Sequence, residues 1–388
     1  MLGLVYHRVR NHLRGLPRAA VTRGCPPGLF GYRFLAKESV DAYLLRRRDP
    51  AEALVVIHPA HQERHPLPTN VPDREQLPKV RGWWGNSFHD IPERTSTPTF
   101  IATLRDCRVV PSFDSRGQFW ATIVSHEGRS VELRELSFRP WQARFLRTLP
   151  TRRIERATWV VERVYDNYSH WLTAHLPKLL MLRDLGMADG VLLPTVLAPV
   201  IHESLKFFGM PAEQFGAFDP SVSLRVDELT VVGTDRFRPE LLRMVAAQCP
   251  VESAVAPHRR VFISRAAAAR RRLSNEDDLW PILARAGFEK VQMERLAFSQ
   301  QVALMRQTAV LVAPHGAGLA NMMFCPTGAR VVEIADLEFP NPNFYALAAA
   351  MGHSYWLLAA SPCGLGAPPE RDLRLDPAAL RGVLNQLI

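Results

Sequence analysis

Cysteine is scarce in this chain and widely spaced. Five cysteines in 388 residues, Cys25, Cys107, Cys249, Cys325 and Cys363, make no CxxC pair and no ligand spacing. That argues against a disulfide framework or a structural zinc site and fits reduced thiols in a cytoplasmic protein. No stretch approaches the roughly eighteen consecutive apolar residues of a membrane-spanning helix. The opening "MLGLVYHRVRNHLRGLPRAA" carries arginines through its only apolar part, unlike a secretory signal, and reads instead as a short amphipathic surface helix. Also missing are a Walker P-loop, a GxGxxG turn and a GxSxG nucleophile elbow, which removes the simplest nucleotide-binding and hydrolase readings. No zinc-finger, RNP or basic-zipper pattern occurs, and no internal repeat of fixed period.

What is present is an ordinary globular balance, 47% hydrophobic and 22% charged, in a chain long enough for two domains. The net charge of +10 suits anionic partners: nucleic acid, a phospholipid surface or a phosphorylated substrate. The arginines are dispersed, which speaks against nucleic acid. Residues 1–98 are rich in Pro, Arg and His and show little periodicity. Their "HPAHQERH" sets His58, His61 and His65 at helical spacing, as a metal-binding face would. Pro59 and Pro66 interrupt that face, so no metal site is expected there.

From residue 99 the pattern sharpens. "FIATLRDCRVV" and "GQFWATIVS" alternate like strands, with "DSRG" and "HEGR" as turns. The first half of "WVVERVYDNY" is strand-like, and "SHWLTAHLPKLLMLRDLG" has helical spacing ending at Gly186. "GVLLP", "APVIHESLKFFG", "VDELTVVG" and a helix from Pro239 to Gln248 continue the alternation. "CPVESAVAPHRR" reads as a linker. A second block then runs strand "RVFIS", helix "NEDDLWPILARAG", strand "EKVQME", helix "SQQVALMRQ", strand "AVLVAP", turn "HGAG", helix, strand "RVVEIA", helix "NFYALAAAMG", strand "SYWLLA" and a capped helix "DPAALRGVLNQLI". Such regularity predicts βαβ units around a parallel sheet, with ligands beyond the carboxyl ends of its strands.

Three stretches carry chemistry. "HGAG" sits at a strand end and leads into a helix near Ala317. It is either a plain strand-to-helix turn or a phosphate cradle, in which Gly316 and Gly318 permit close approach and positive φ and the helix start offers amides. In "FISRAAAARRRLSNEDDL" an arginine run follows a strand end, and arginine binds phosphate oxygens in forked pairs. The same run is also compatible with a solvated basic loop. In "YDNYSHWLTAHLPKLL", Asp166 lies four residues before His170, a histidine able to act as general base or simply to be structural.

Together these stretches resemble glycosyltransferase family 61, once catalogued as a domain of unknown function. The resemblance spans roughly residues 100–360. It rests on Asn167-Tyr168, His170-Trp171-Leu172 and Leu176-Pro177, then Ser264-Arg265, Arg271 and Asn275-Glu276, then His315 to Leu319 with Val332-Glu333. It implies an α/β, GT-B-like architecture of two Rossmann-like domains facing across a cleft. Here these would be an acceptor-side domain at 99–250 and a nucleotide-sugar domain at 258–388, after a basic region at 1–98 without assigned role. It implies an inverting glycosyltransferase that needs no metal or other cofactor. Its partners would be a nucleotide-sugar, UDP-linked, and a saccharide or lipid-linked acceptor of a bacterial surface (capsular) polysaccharide. It would work in the cytoplasm, with peripheral contact to an anionic membrane and none to nucleic acid.

By position, Arg265 and Arg271 would clamp the diphosphate beside Ser264. Gly316, Ala317, Gly318 and Leu319 would line the cradle, His315 would border phosphate or sugar, and Glu333 would take ribose hydroxyls. Asn275 and Glu276 are expected to cap a helix rather than touch ligand. Members of the family usually carry an acid four residues after the motif histidine, where this chain has Ala174. His170, Asp166 and His175 are therefore the candidate bases. A non-catalytic nucleotide-sugar-binding or scaffold protein is the alternative.

Overall fold

The computed structural model describes residues 35–82, 85–250 and 256–388. The expected N-terminal amphipathic helix and the core of the expected linker, 251–255, lie outside the described residues. The fold is mixed α/β with parallel strands, and the chain divides into two compact units.

Of the described residues, the first unit gathers 35–55, Ile101–Val164 and Ala217–Val231. Its sheet runs, neighbour to neighbour, Lys37–Ser39, Ser130–Glu132, Phe119–Ser125, Thr99–Phe113, Ser223–Gly233 and Thr151–Trp159. The turns "DSRG" and "HEGR" close antiparallel pairings, with Gly117 and Gly128 in the left-handed region at φ 76° and 78°. Ser223–Gly233 and Thr151–Trp159 are parallel. The latter strand lies upstream of the stretch expected from "WVVERVYDNY". Its outer half, with Arg152, Arg153, Glu155 and Arg156, is solvated and charged, so it lacks the apolar alternation that marks a half-buried strand. On this surface Arg225 donates to Asp106 at 2.8 Å and Arg153 to Asp227 at 2.8 Å, while Arg105 lies 3.3 Å from Glu228.

The second unit gathers Val56–Phe100, Tyr165–Gly216 and Val232–Ile388. Its main sheet comprises β1 (Arg259–Ile263), β2 (Phe288–Val291), β3 (Thr308–Pro314), β4 (Arg330–Asp336), β5 (Ser354–Cys363) and β6 (Asp372–Arg374). The spatial order is β2-β1-β3-β4-β5-β6, parallel from β2 to β5, with β6 antiparallel at the edge. Helices α1 (Glu276–Arg285), α2 (Phe298–Arg306), α3 (Asn343–Met351) and α4 (Pro377–Leu387) connect and cover it. Buried on both faces, the central strands read as continuous apolar runs. Phe262, Val312, Val332 and Ile334 pack with Leu279 and Leu283 of α1 and Leu380 and Leu384 of α4. Alternation along β4 turns Glu333 to the other face.

From β1 the chain moves outward to β2 and then returns past β1 to β3. The direction of winding therefore reverses between β1 and β3, and the crevice beyond their carboxyl ends is where such sheets hold ligands. Residues from the expected N-terminal region belong to this unit. Asn70 donates to the carbonyl of Leu357 at 2.8 Å and accepts from its amide at 2.9 Å, clipping a loop to β5. Among the described residues no helix is long and apolar enough to cross a membrane, and no group of three His, Cys, Asp or Glu is placed to hold a metal ion.

Candidate functional site

Two loops leave the sheet at its switch point: Ser264-Arg265 after β1 and His315-Gly316 after β3. The guanidinium of Arg265 lies over Gly316, so that a methyl group built on this glycine would come within 2.1 Å of Nη1. Gly316 is needed for that space and not for its conformation. Its φ of 177° is extended backbone, and Gly318 lies within a 3-10 turn, so the expected positive φ is used at neither. Arg265 is aimed by the loop it begins, its Nε donating to the carbonyl of Arg271 at 3.1 Å and its Nη2 to that of Arg270 at 2.9 Å. Arg271 sits in the left-handed region, φ 55°, a conformation unfavourable for a residue with a side chain. Its Nε is buried without a hydrogen-bond partner.

Neither half-buried arginine forms an ion pair among the described residues. Burial lowers the pKa of Arg265. Burial, followed by the charges of Arg265 and Arg270, lowers that of Arg271 to about 10. Two cations held close together without a carboxylate partner form a locus that an anion would stabilise.

After Gly316 the chain enters the 3-10 segment Ala317–Phe324 rather than the expected α-helix. Leu319 donates its amide to Gly316 at 2.9 Å and is fully buried, so it packs instead of lining a cradle. Ala317 and Gly318 are partly exposed, and theirs are the amides that a helix start leaves without internal acceptors. Ser264 is also turned inward. Its hydroxyl donates to Glu276 at 2.8 Å, and Lys290 completes the pair at 3.1 Å. This buried serine fastens the start of α1 to β1 and is not offered to a ligand. Asn275 makes no cap bond to its helix; its amide instead brackets Leu375, at 2.8 and 3.2 Å.

His315 is nearly buried. Its Nδ1 pairs with Glu333, whose other oxygen accepts from the hydroxyl of Tyr355. With no exposed surface and both oxygens engaged, Glu333 cannot reach ribose hydroxyls, contrary to the expectation from its strand position. It orients His315. The imidazole also meets the ring of Phe344 at 4.9 Å.

The first motif packs against the third. Asn167 caps the helix start by accepting from the amides of Ser169 and His170 at 3.1 and 3.3 Å. Tyr168 donates to Asn321 at 2.7 Å, and Asn321 in turn donates to the carbonyl of Gly318 at 3.2 Å and to Gln301 at 3.0 Å. Burial pushes the Tyr168 phenol well above its usual range, so it stays a donor. The helix continues through a π turn, Trp171–His175, that buries Ala174 and His175. His175 stacks on Trp171 at 5.9 Å, with Nδ1 turned to the carbonyl of His170 at 3.1 Å. That placement removes it from the candidate bases, because no acceptor hydroxyl can reach a fully buried ring.

His170 is half-buried, and its Nε2 lies 3.2 Å from Nη1 of Arg236. Arg236 also donates to Thr173 at 2.7 Å and to Ser169 at 2.8 Å. Asp166 is exposed. Sequence reasoning passed over Arg236, Tyr355, Gln301 and Asn321. Only Asn321, a polar residue inside the apolar "LANMMF", carried a visible signal.

With this geometry in place, comparison with known proteins is informative. A family model described as Glycosyltransferase 61 matches residues 168–332. The EGF domain-specific O-linked N-acetylglucosamine transferase of Drosophila melanogaster is 35% identical over 82 residues, which is 21% of this chain and 16% of that protein. The bacterial iron-containing dodecameric glycosyltransferase TibC of enterotoxigenic E. coli H10407 aligns over 70% of this chain and 81% of its own, at 9% identity and a TM-score of 0.28. Heptosyltransferase TibC in complex with ADP-D-beta-D-heptose aligns over 80% and 98%, at 10% identity and a TM-score of 0.31. Likenesses of that size carry no argument about function. The matched stretch runs from Tyr168 of the first motif to Val332 of the third, leaving out Asn167 and Glu333, and over those residues the chain is similar to Glycosyltransferase 61.

Proposed function

We propose that the chain is an inverting, metal-independent glycosyltransferase. It takes a sugar from a UDP-linked donor and passes it to a saccharide or lipid-linked acceptor in the building of a bacterial surface polysaccharide. The observation that carries the proposal is the pair of half-buried arginines, Arg265 and Arg271, which form no ion pair among the described residues, beside Gly316 at the sheet's switch point. Fixed cations and helix-start amides can stabilise the departing diphosphate where other transferases use a metal ion. In a GT-B-type arrangement, residues 258–388 would hold the donor, as their doubly wound sheet supports. The acceptor oxygen attacks C1 from the face opposite the diphosphate, and Asp166 or His170 takes its proton. The net charge of +10 suits cytoplasmic work against an anionic membrane.

A second reading, binding of a nucleotide-sugar without turnover, is favoured by one observation. Arg236 occupies Nε2 of His170, and the position usually acidic in the family is the buried Ala174. Calorimetry against a panel of UDP-sugars in EDTA, beginning with UDP-N-acetylglucosamine and with GDP as control, tests both. Binding of one UDP-sugar without metal is the expected result, and release of UDP on adding acceptor then separates enzyme from binding protein. Absence of binding across the panel would overturn the diphosphate assignment.

A further inference from the structure

We infer that His315 donates a hydrogen bond from Nε2–H to the departing diphosphate, and that Glu333 and Tyr355 are positioning residues that aim it. This rests on the diphosphate reading above and adds the group that faces the breaking bond. Glu333 sits in mid-strand with no exposed surface, while its neighbours Val332 and Ile334 join the apolar cluster of the opposite face. A carboxylate at such a depth is unfavourable unless its charge and lone pairs are met.

Both are met, and by residues from the two strands flanking β4. His315, just past β3, supplies one donor, and Tyr355 of β5 supplies the other. Among the described residues His315 is the sole ion-pair partner of Glu333. Tyr355 is itself held in place. Tyr345 stacks on it at 5.0 Å and donates its own hydroxyl to the carbonyl of Pro66 at 2.7 Å.

With Nδ1 committed to Glu333, Nε2 is the ring nitrogen left for a substrate, on a residue adjoining Gly316 and the Arg265 guanidinium. When the acceptor oxygen bonds to C1, the bond from C1 to the diphosphate oxygen breaks and its electron pair stays on that oxygen. Nε2–H donates to it there. Nδ1 stays bonded to Glu333 throughout, so the ring keeps its aim. No bond to nitrogen forms, and the acceptor's proton leaves to the separate base.

The test uses the full chain labelled with 15N-histidine, with UDP as the probe. In the wild type, Nε2 of His315 should report a proton in the UDP complex. His315→Gln should weaken UDP binding. Tyr355→Phe, which retains the ring stack, should bind UDP about tenfold more weakly and give a mixed-tautomer spectrum for His315. Glu333→Gln should do the same more strongly; if it fails to fold, Tyr355→Phe decides. An unprotonated Nε2 in the wild-type complex, or an unchanged spectrum and affinity in Tyr355→Phe, overturns the inference while leaving the diphosphate reading intact. If the wild type binds neither UDP nor any UDP-sugar, the parent reading fails and takes this one with it.

Discussion

The chain uses arginine in two opposite ways. On the first unit, Arg225 and Arg153 lie in the open, each bonded to an aspartate, and their pKa values are raised. In the second unit, Arg265 and Arg271 are half-buried, form no ion pair among the described residues, and have pKa values lowered by burial. The first arrangement is satisfied as it stands, and exposed pairs of this kind contribute roughly 0–1 kcal/mol. The second leaves two cations without an ion pair among the described residues, a locus that an anion would stabilise. A count of basic residues therefore says little about where an anion binds. The partners and burial of each residue say much more.

Four measurements bear on this contrast. Arg265→Ala should have the largest effect, weakening UDP roughly ten- to hundredfold, because charge-assisted hydrogen bonds carry about 1.5–3 kcal/mol. Titration calorimetry reads it, and an unchanged Kd would place the anion elsewhere. Gly316→Ala should follow, at about three- to tenfold, since its methyl group displaces the guanidinium rather than the backbone. Near-native thermal stability alongside weaker binding is the signature.

Tyr168→Phe removes one buried hydrogen bond to Asn321 and should lower unfolding free energy by about 1 kcal/mol in urea denaturation. Arg225→Ala should be the mildest, leaving UDP affinity untouched and stability nearly unchanged. Its effect depends on pH. The bond from Arg225 holds the Asp106 carboxyl below its ordinary range, so the stabilisation is present at neutral pH and lost as pH falls through that depressed value. The wild type and Arg225→Ala should converge in melting temperature under acid, and a constant gap would refute the linkage.

Much of the second unit's sheet was legible in sequence because its strands are buried on both sides and its helices present one apolar stripe. "AVLVAP" and "RVVEIA" fall on β3 and β4 almost residue for residue. The short antiparallel β6 escaped notice because three residues carry no period. Thr151–Trp159 was misplaced because charge replaces hydrophobicity over its solvated half. For the candidate site, spacing put Arg265, His315 and Gly316 just past strand ends, and that is where they lie. It could not distinguish a residue facing the crevice from one facing the core. Ser264, His175, Leu319 and Glu333 all turned inward, a distinction set by strand parity and by a π turn that no propensity marks. Arg236 and Tyr355 reach their partners only through tertiary folding.

The bond from Tyr168 to Asn321 joins positions 153 residues apart in the chain. Contacts of such long range close late, after most of the intervening chain has found its place. On the proposed function, the crevice beside this bond is absent from a partly folded second unit, and a ligand held there would stabilise the native state alone. At a UDP concentration one hundred times Kd, that linkage is worth about 2.7 kcal/mol. If the proposed donor is the ligand, its occupancy would slow proteolysis of the second unit inside a cell, and its depletion would shorten the protein's lifetime.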